Sequence, residues 1–221
     1  MNFTEVAEKL FHGAATGDEN QVVKILASGV SPDLRDTDRR RTPLDLAVWN
    51  NHPGVVKILL DAGADPNVIA GEYGETTALR YAAPRGMLEV AQYLLDAGAR
   101  PDGRLDDEQA TPLMLAAGQG ELGMTELLLK RGASPNLATE QVSPVGASRG
   151  TRVTALSSAA TGGHLATFRL LLDNGARPDE ELLKLVSGEI ERKGNGNSEG
   201  RRENLGEYHA IKKLIEETLR S

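Results

Sequence analysis

The stretch Thr42-Pro43-Leu44-Asp45-Leu46-Ala47, followed by Val55-Val56-Lys57-Ile58-Leu59-Leu60-Asp61-Ala62-Gly63-Ala64-Asp65-Pro66-Asn67, decides the fold, because the chain repeats it. The phrase returns at Thr77 to Asp102, at Thr111 to Asn136 and at Thr154 to Asp179, and a degenerate copy runs from Leu10 to Asp33. Gly-Ala pairs fall at 63–64, 98–99, 132–133 and 175–176, with Gly29-Val30 as the first member, so the spacings are 34, 35, 34 and 43 residues. A fixed period in this range builds a stack of supersecondary units, each burying its apolar face on its neighbours. Such stacks present long surfaces for binding.

Each unit reads as two short antiparallel helices and a projecting turn. Thr42 and Thr111 suit the N-cap, where a hydroxyl accepts from an early helix amide. Pro43 and Pro112 follow at the first helical position, where a missing N–H costs nothing. Thr77-Ala78 and Thr154-Ala155 keep the cap and lose the proline. The first helix continues through small residues such as Ala82-Ala83, Ala116-Ala117 and Ala159-Ala160, which let neighbouring helices approach. The second helix carries large apolar ones, among them Leu59, Leu94, Leu128 and Leu171, and a glycine follows it as a left-handed C-cap. From inter-helix residue to that glycine the gap is twelve in every unit, so length varies only in the turns.

These motifs resemble the ankyrin-repeat family. Thr-Pro-Leu-x-x-Ala, Leu-Leu-x-x-Gly-Ala and Asp/Ser-Pro-Asn match in four units, with a weaker first one, over about residues 10 to 179. The resemblance implies an all-α, ankyrin-type solenoid of helix-turn-helix repeats with projecting β-hairpin-like turns. Residues 1–179 are expected to form a stack of five motif-bearing repeats with a long insertion at 138–153. Residues 180–221 are expected to form a diverged helical C-terminal cap with a mobile loop at 194–206. The last helix should present Ile211, Leu214, Ile215 and Leu219 as one stripe. The family's usual histidine after Thr-Pro-Leu is replaced by Asp45, Arg80, Met114 and Ser157, so the bonds it makes between repeats must be made otherwise. His52 and His164 stand where the family has a structural histidine serving the turn and the helix start.

A net charge of −7 speaks against phosphate-backbone binding, and nucleic acid is not an expected partner. The absence of cysteine excludes disulfides and thiolate metal sites. No apolar run approaches the roughly 20 residues of a membrane span, and the start Met1 to Lys9 has no secretory pattern. A cytoplasmic protein, monomeric on its own, is expected. The four histidines form no ligand set, and Asp106-Asp107-Glu108 lacks the alternating ligands and central glycine of a calcium loop. No nucleophile elbow or phosphate cradle is present. The expectation is no enzyme, no cofactor and no metal.

What remains is a binding surface for another protein. Two residues before each inter-helix position differ in every unit: Trp49-Asn50, Pro84-Arg85, Gly118-Gln119 and Thr161-Gly162. Trp49, the only tryptophan, is either an exposed anchor or packed on the first turn. The turn tips read basic, acidic, acidic, basic, with Tyr73 in the second and Asp106 and Asp107 in the third. The long fourth turn carries Val142, Val145, Arg149 and Arg152 and reads as a partly structured finger. With the concave groove that the resemblance implies, these residues suggest an interaction module or scaffold. The alternative is a small acidic inhibitor or immunity protein that covers the active site of a toxin or enzyme.

Overall fold

A computed structural model describes residues 3–36, 40–69, 76–103, 109–141, 151–194 and 204–220. The chain forms two compact units, Met1–Gly103 and Arg104–Ser221. The first holds α1 (Phe3–Thr16), α2 (Glu19–Leu26), α3 (Pro43–Trp49), α4 (Pro53–Asp61), α5 (Ala78–Ala82) and α6 (Leu88–Asp96). The second holds α7 (Pro112–Gln119), α8 (Leu122–Lys130), β1 (Ala138–Gln141), β2 (Thr151–Thr154), α9 (Ala155–Gly162), α10 (Leu165–Asp173), α11 (Glu180–Gly194) and α12 (Leu205–Arg220). The fold is all-α, built of helix-turn-helix repeats. The one ladder among the described residues is the antiparallel pair β1–β2, with Gln141 opposite Thr151 and Ala138 opposite Thr154. It forms the base of the long fourth turn. No helix among the described residues is long and apolar enough to cross a membrane.

The caps work as the residues require. The Thr42, Thr77, Thr111 and Thr154 hydroxyls each accept from the amide three residues on, at 3.2, 3.4, 3.2 and 3.1 Å. The third repeat departs from a plain helix: α5 stops at Ala82 and Ala83–Arg85 is a 3-10 turn. Pro84 is the cause, since it has no N–H to donate back up the helix.

Within each unit like packs on like. First helices pair as α1 with α3, α3 with α5 and α7 with α9; second helices pair as α2 with α4, α4 with α6 and α8 with α10. Ala47, Ala82, Ala116 and Ala159 are fully buried in the first-helix layer, and Leu59, Leu94, Leu128 and Leu171 in the second.

The bonds between repeats use groups that helices leave unpaired. His52 does not cap α4; its Nε2 lies 3.1 Å from the Ala15 carbonyl in the last turn of α1. His164 does the same with the Gly118 carbonyl of α7, also at 3.1 Å. Those carbonyls have no intrahelical partner, so a side chain from the next repeat satisfies them. This corrects the expectation that the histidines serve their own helix starts. Each ring lies against a left-handed glycine: a Cβ on Gly17 would come within 2.8 Å of His52, and one on Gly120 within 2.5 Å of His164. Asparagines clamp the turn side. Asn67 donates to the Gly98 carbonyl (3.0 Å) and accepts from Arg100 N (2.9 Å). Asn136 repeats this with Gly175 and Arg177, at 2.9 Å each.

The closing helices follow the same rule with a different side chain. α11 packs on α9, and α12 on α10 and α11. Tyr208, 2% exposed, lies under Gly163 and donates its hydroxyl to the Thr161 carbonyl at 2.6 Å. It takes the histidine's place in a segment with no repeat motif. Tyr208, Ile211 and Ile215 are buried and Leu214 is half-buried. Leu219, expected on the same stripe, is instead 41% exposed, because the stripe leaves the contact before the helix ends.

Candidate protein-binding site

The first helix α3, and α5 with the 3-10 turn that follows it, bring three side chains together. Trp49 is the last residue of α3 and 62% exposed. Its ring stacks on Tyr81 of α5, centroids 4.7 Å apart and planes 23° from parallel. The Arg85 guanidinium lies 3.7 Å above the Tyr81 centroid, and its Nη1 donates to the Tyr81 carbonyl at 2.9 Å. Such a stack holds rings and guanidinium in place without burying them; aromatic pairs contribute about 0.5–1.5 kcal/mol beyond area. Trp49 is therefore an exposed side chain fixed by the following repeat.

A small recess of about 70 Å³ opens beside this cluster, lined by Arg41, Asp45, Val48, Trp49, Thr77 and Tyr81 among others. Asp45 stands where the family has histidine. Its carboxylate accepts from Thr42 N (2.7 Å) and Thr42 Oγ1 (2.6 Å), closing the cap of α3. Burial pushes the Asp45 carboxyl above the usual carboxylate range; the Thr42 hydrogen bonds and the Arg35 and Arg41 charges oppose this without cancelling it. Arg41 is held by Asp36 at 3.1 Å across the first projecting turn, which Asp36 N closes on the Arg41 carbonyl (2.9 Å). No group of three or more metal-ligating side chains gathers among the described residues.

The remaining expected residues distribute as follows. Asn50 is exposed beside Trp49, but its amide turns back to the Leu46 carbonyl at 2.8 Å. Gln119, in the second unit, is the exposed last residue of α7. Arg152 projects from β2 and reaches Asp179 at 3.5 Å. Tyr73, Asp106, Asp107, Val142, Val145 and Arg149 lie outside the described residues. Sequence reasoning missed Tyr81 and Asp45. One signal was available for Tyr81: it precedes Arg85 by one helical turn, the spacing at which side chains meet.

A family model for ankyrin repeats matches residues 4–70 and 70–139. Among similar proteins, the Ankyrin repeat and KH domain-containing protein mask-1 of Caenorhabditis elegans is 29% identical over 199 residues, 78% of this chain and 7% of that protein. The B-cell lymphoma 3 protein homolog of Mus musculus is 34% identical over 119 residues, 54% of this chain and 26% of its own length. The NF-kappa-B inhibitor alpha of Homo sapiens is 30% identical over 145 residues, 62% of this chain and 45% of its own length. The chain thus spans less than half the length of each of these relatives.

Proposed function

The chain belongs to the ankyrin-repeat family, a family of protein-binding modules, and we propose that it grips its partner through Trp49, Tyr81 and Arg85 without catalysing a reaction. One observation carries the reading: the only tryptophan is 62% exposed and yet held by a stacked ring. Roughly 150 Å² of that side chain remains to be covered, taking about 250 Å² for a whole tryptophan. Covering it is worth up to about 4 kcal/mol at the usual transfer coefficient. A pre-fixed aromatic also loses little freedom on binding. Asn50 adds contact in the first unit, and Gln119 and the fourth turn, with Val142, Val145, Arg149 and Arg152, add it in the second. The tip residues Tyr73, in the first unit, and Asp106 and Asp107, in the second, are further proposed contacts of a protein that acts in the cytoplasm and is a monomer on its own.

The test is capture of partners from the source cell, with mass spectrometry of what is retained. Wild type should retain a partner that Trp49→Ala and Arg85→Glu lose by tenfold or more, a change of about 1.4 kcal/mol. Both variants should keep wild-type circular dichroism. Retention at full strength by both would place the contact elsewhere.

A narrower version is an acidic inhibitor or immunity protein that covers an enzyme's or toxin's site. The net charge of −7 and the similarity to a protein named as an inhibitor favour it. Stoichiometric loss of the captured partner's activity would support it; full activity in the complex would leave the adaptor.

A further inference from the structure

The second unit carries a groove that the repeat pattern itself explains. After Asn136 the chain makes the whole β1–β2 turn before α9 starts at Ala155; after the matching Asp179, α11 starts at once, at Glu180. The last projecting turn is therefore missing. The space beside β2 is a groove of about 1090 Å³. Leu182 and the half-buried Pro178 and Leu185 line its floor, and Arg152, Arg177 and Lys184 stand on its rim.

Two features select an occupant. The first is charge. Asp179 is already engaged, its Oδ1 accepting from Leu182 N at 2.8 Å and its Oδ2 from Arg152 at 3.5 Å. Arg177 and Lys184 are exposed and form no ion pair among the described residues, and of the described acids lining the groove only Glu181 is likewise without one. In a chain of net charge −7 this is a local excess of cations. The second is backbone direction. Thr154 N donates to Ser157 Oγ (2.8 Å), and the Thr154 carbonyl accepts from it (3.0 Å), so both point away from β1. Strand residues alternate sides, so the N–H and C=O of Arg152 point the same way, toward the groove. An open strand edge with a donor, an acceptor and pockets beside it accepts an added strand.

We propose that this groove binds an extended segment of a partner protein, with acidic side chains toward Arg177 and Lys184 and apolar ones toward Leu185 and Pro178, added along the β2 edge. Glu181 and the apolar floor disfavour a polyphosphate chain in the same place. The site does not depend on the Trp49 cluster.

The test titrates the full ¹⁵N-labelled chain with a blocked ten-residue peptide alternating glutamate and leucine. Saturable shifts are expected at Arg152, Arg177 and Leu185, with slowed exchange of the Arg152 amide. The Arg177→Glu, Lys184→Glu double variant should bind about tenfold more weakly, and a lysine–leucine peptide should leave these resonances unshifted. Trp49→Ala, which should weaken capture of the partner, should leave the affinity for this peptide as it is in wild type, which separates a failure here from a failure of the Trp49 reading. Unaltered affinity in the double variant, unprotected Arg152 exchange, or tighter binding of inorganic polyphosphate would each overturn the proposal.

Discussion

Tyr208 offers the sharpest test of how the closing helices are held. Tyr208→Phe removes only the 2.6 Å bond to the Thr161 carbonyl and keeps the ring under Gly163. A net hydrogen bond is worth about 0.5–1.5 kcal/mol, so the expected loss is about 1 kcal/mol. Phe also keeps the Lys193 ammonium 4.9 Å from the ring centroid. Tyr208→Ala removes a side chain that is 2% exposed, and loss of a buried aromatic costs about 3–5 kcal/mol. The two variants should thus differ by at least about 1.5 kcal/mol. Urea denaturation followed by circular dichroism gives the totals. Amide exchange gives the location, because a terminal repeat opens locally: α11 and α12 should lose protection while α7 keeps it. An Ala variant costing under about 1 kcal/mol would refute the docking role of the ring, and uniform loss of protection would refute its local action.

Asp45 gives a pH signature. Burial raises its carboxyl in the folded state, so the native chain holds that proton more tightly than the unfolded one. Its contribution should therefore improve as pH falls through the folded value toward the ordinary carboxylate value. Asp45→Asn should flatten that part of the urea midpoint–pH curve, and an unchanged curve would count against burial as the dominant cause. Leu94→Ala and Leu128→Ala, both at fully buried positions, should each cost about 2–5 kcal/mol in the same assay. Gln141 and Thr151 are paired, so removing 142–150 outright would leave no turn between them. Replacing 142–150 by Asn-Gly supplies the tightest hairpin turn and should leave helix content and melting temperature nearly unchanged, since loop length carries little entropy; a large drop would show that those residues support the frame.

The repeat frame was readable because every local signal in it agrees: a threonine cap, small residues on the first helix, leucines on the second, glycine at its end. Leu94 and Leu128 are buried as that pattern requires. What escaped depends on substitutions inside the pattern. Tyr81 fills the position of Leu46, Leu115 and Ser158, and nothing local says that its ring meets Trp49 of the preceding repeat. Tyr208 does a histidine's work from a segment without the motif, where only the geometry of Gly163 and Thr161 reveals the equivalence. Asp45 looked like a lost interaction and proved to be a cap. The placement of Trp49 combined both sequence readings, since it is exposed and also packed, although on Tyr81 and not on the first turn.

The lone tryptophan has a consequence for observing this protein as well as for what it binds. The chain has 221 residues and a single indole, at Trp49. Light absorbed at the red edge of the protein spectrum is therefore absorbed at one known address, and the emission reports the surroundings of that address alone. The indole is exposed and stacked on a phenol ring, so a partner that settles over it should replace water around it and shift its emission. Encounters at that end of α3 can be timed by mixing, without a dye, a tag or a label, on the native chain.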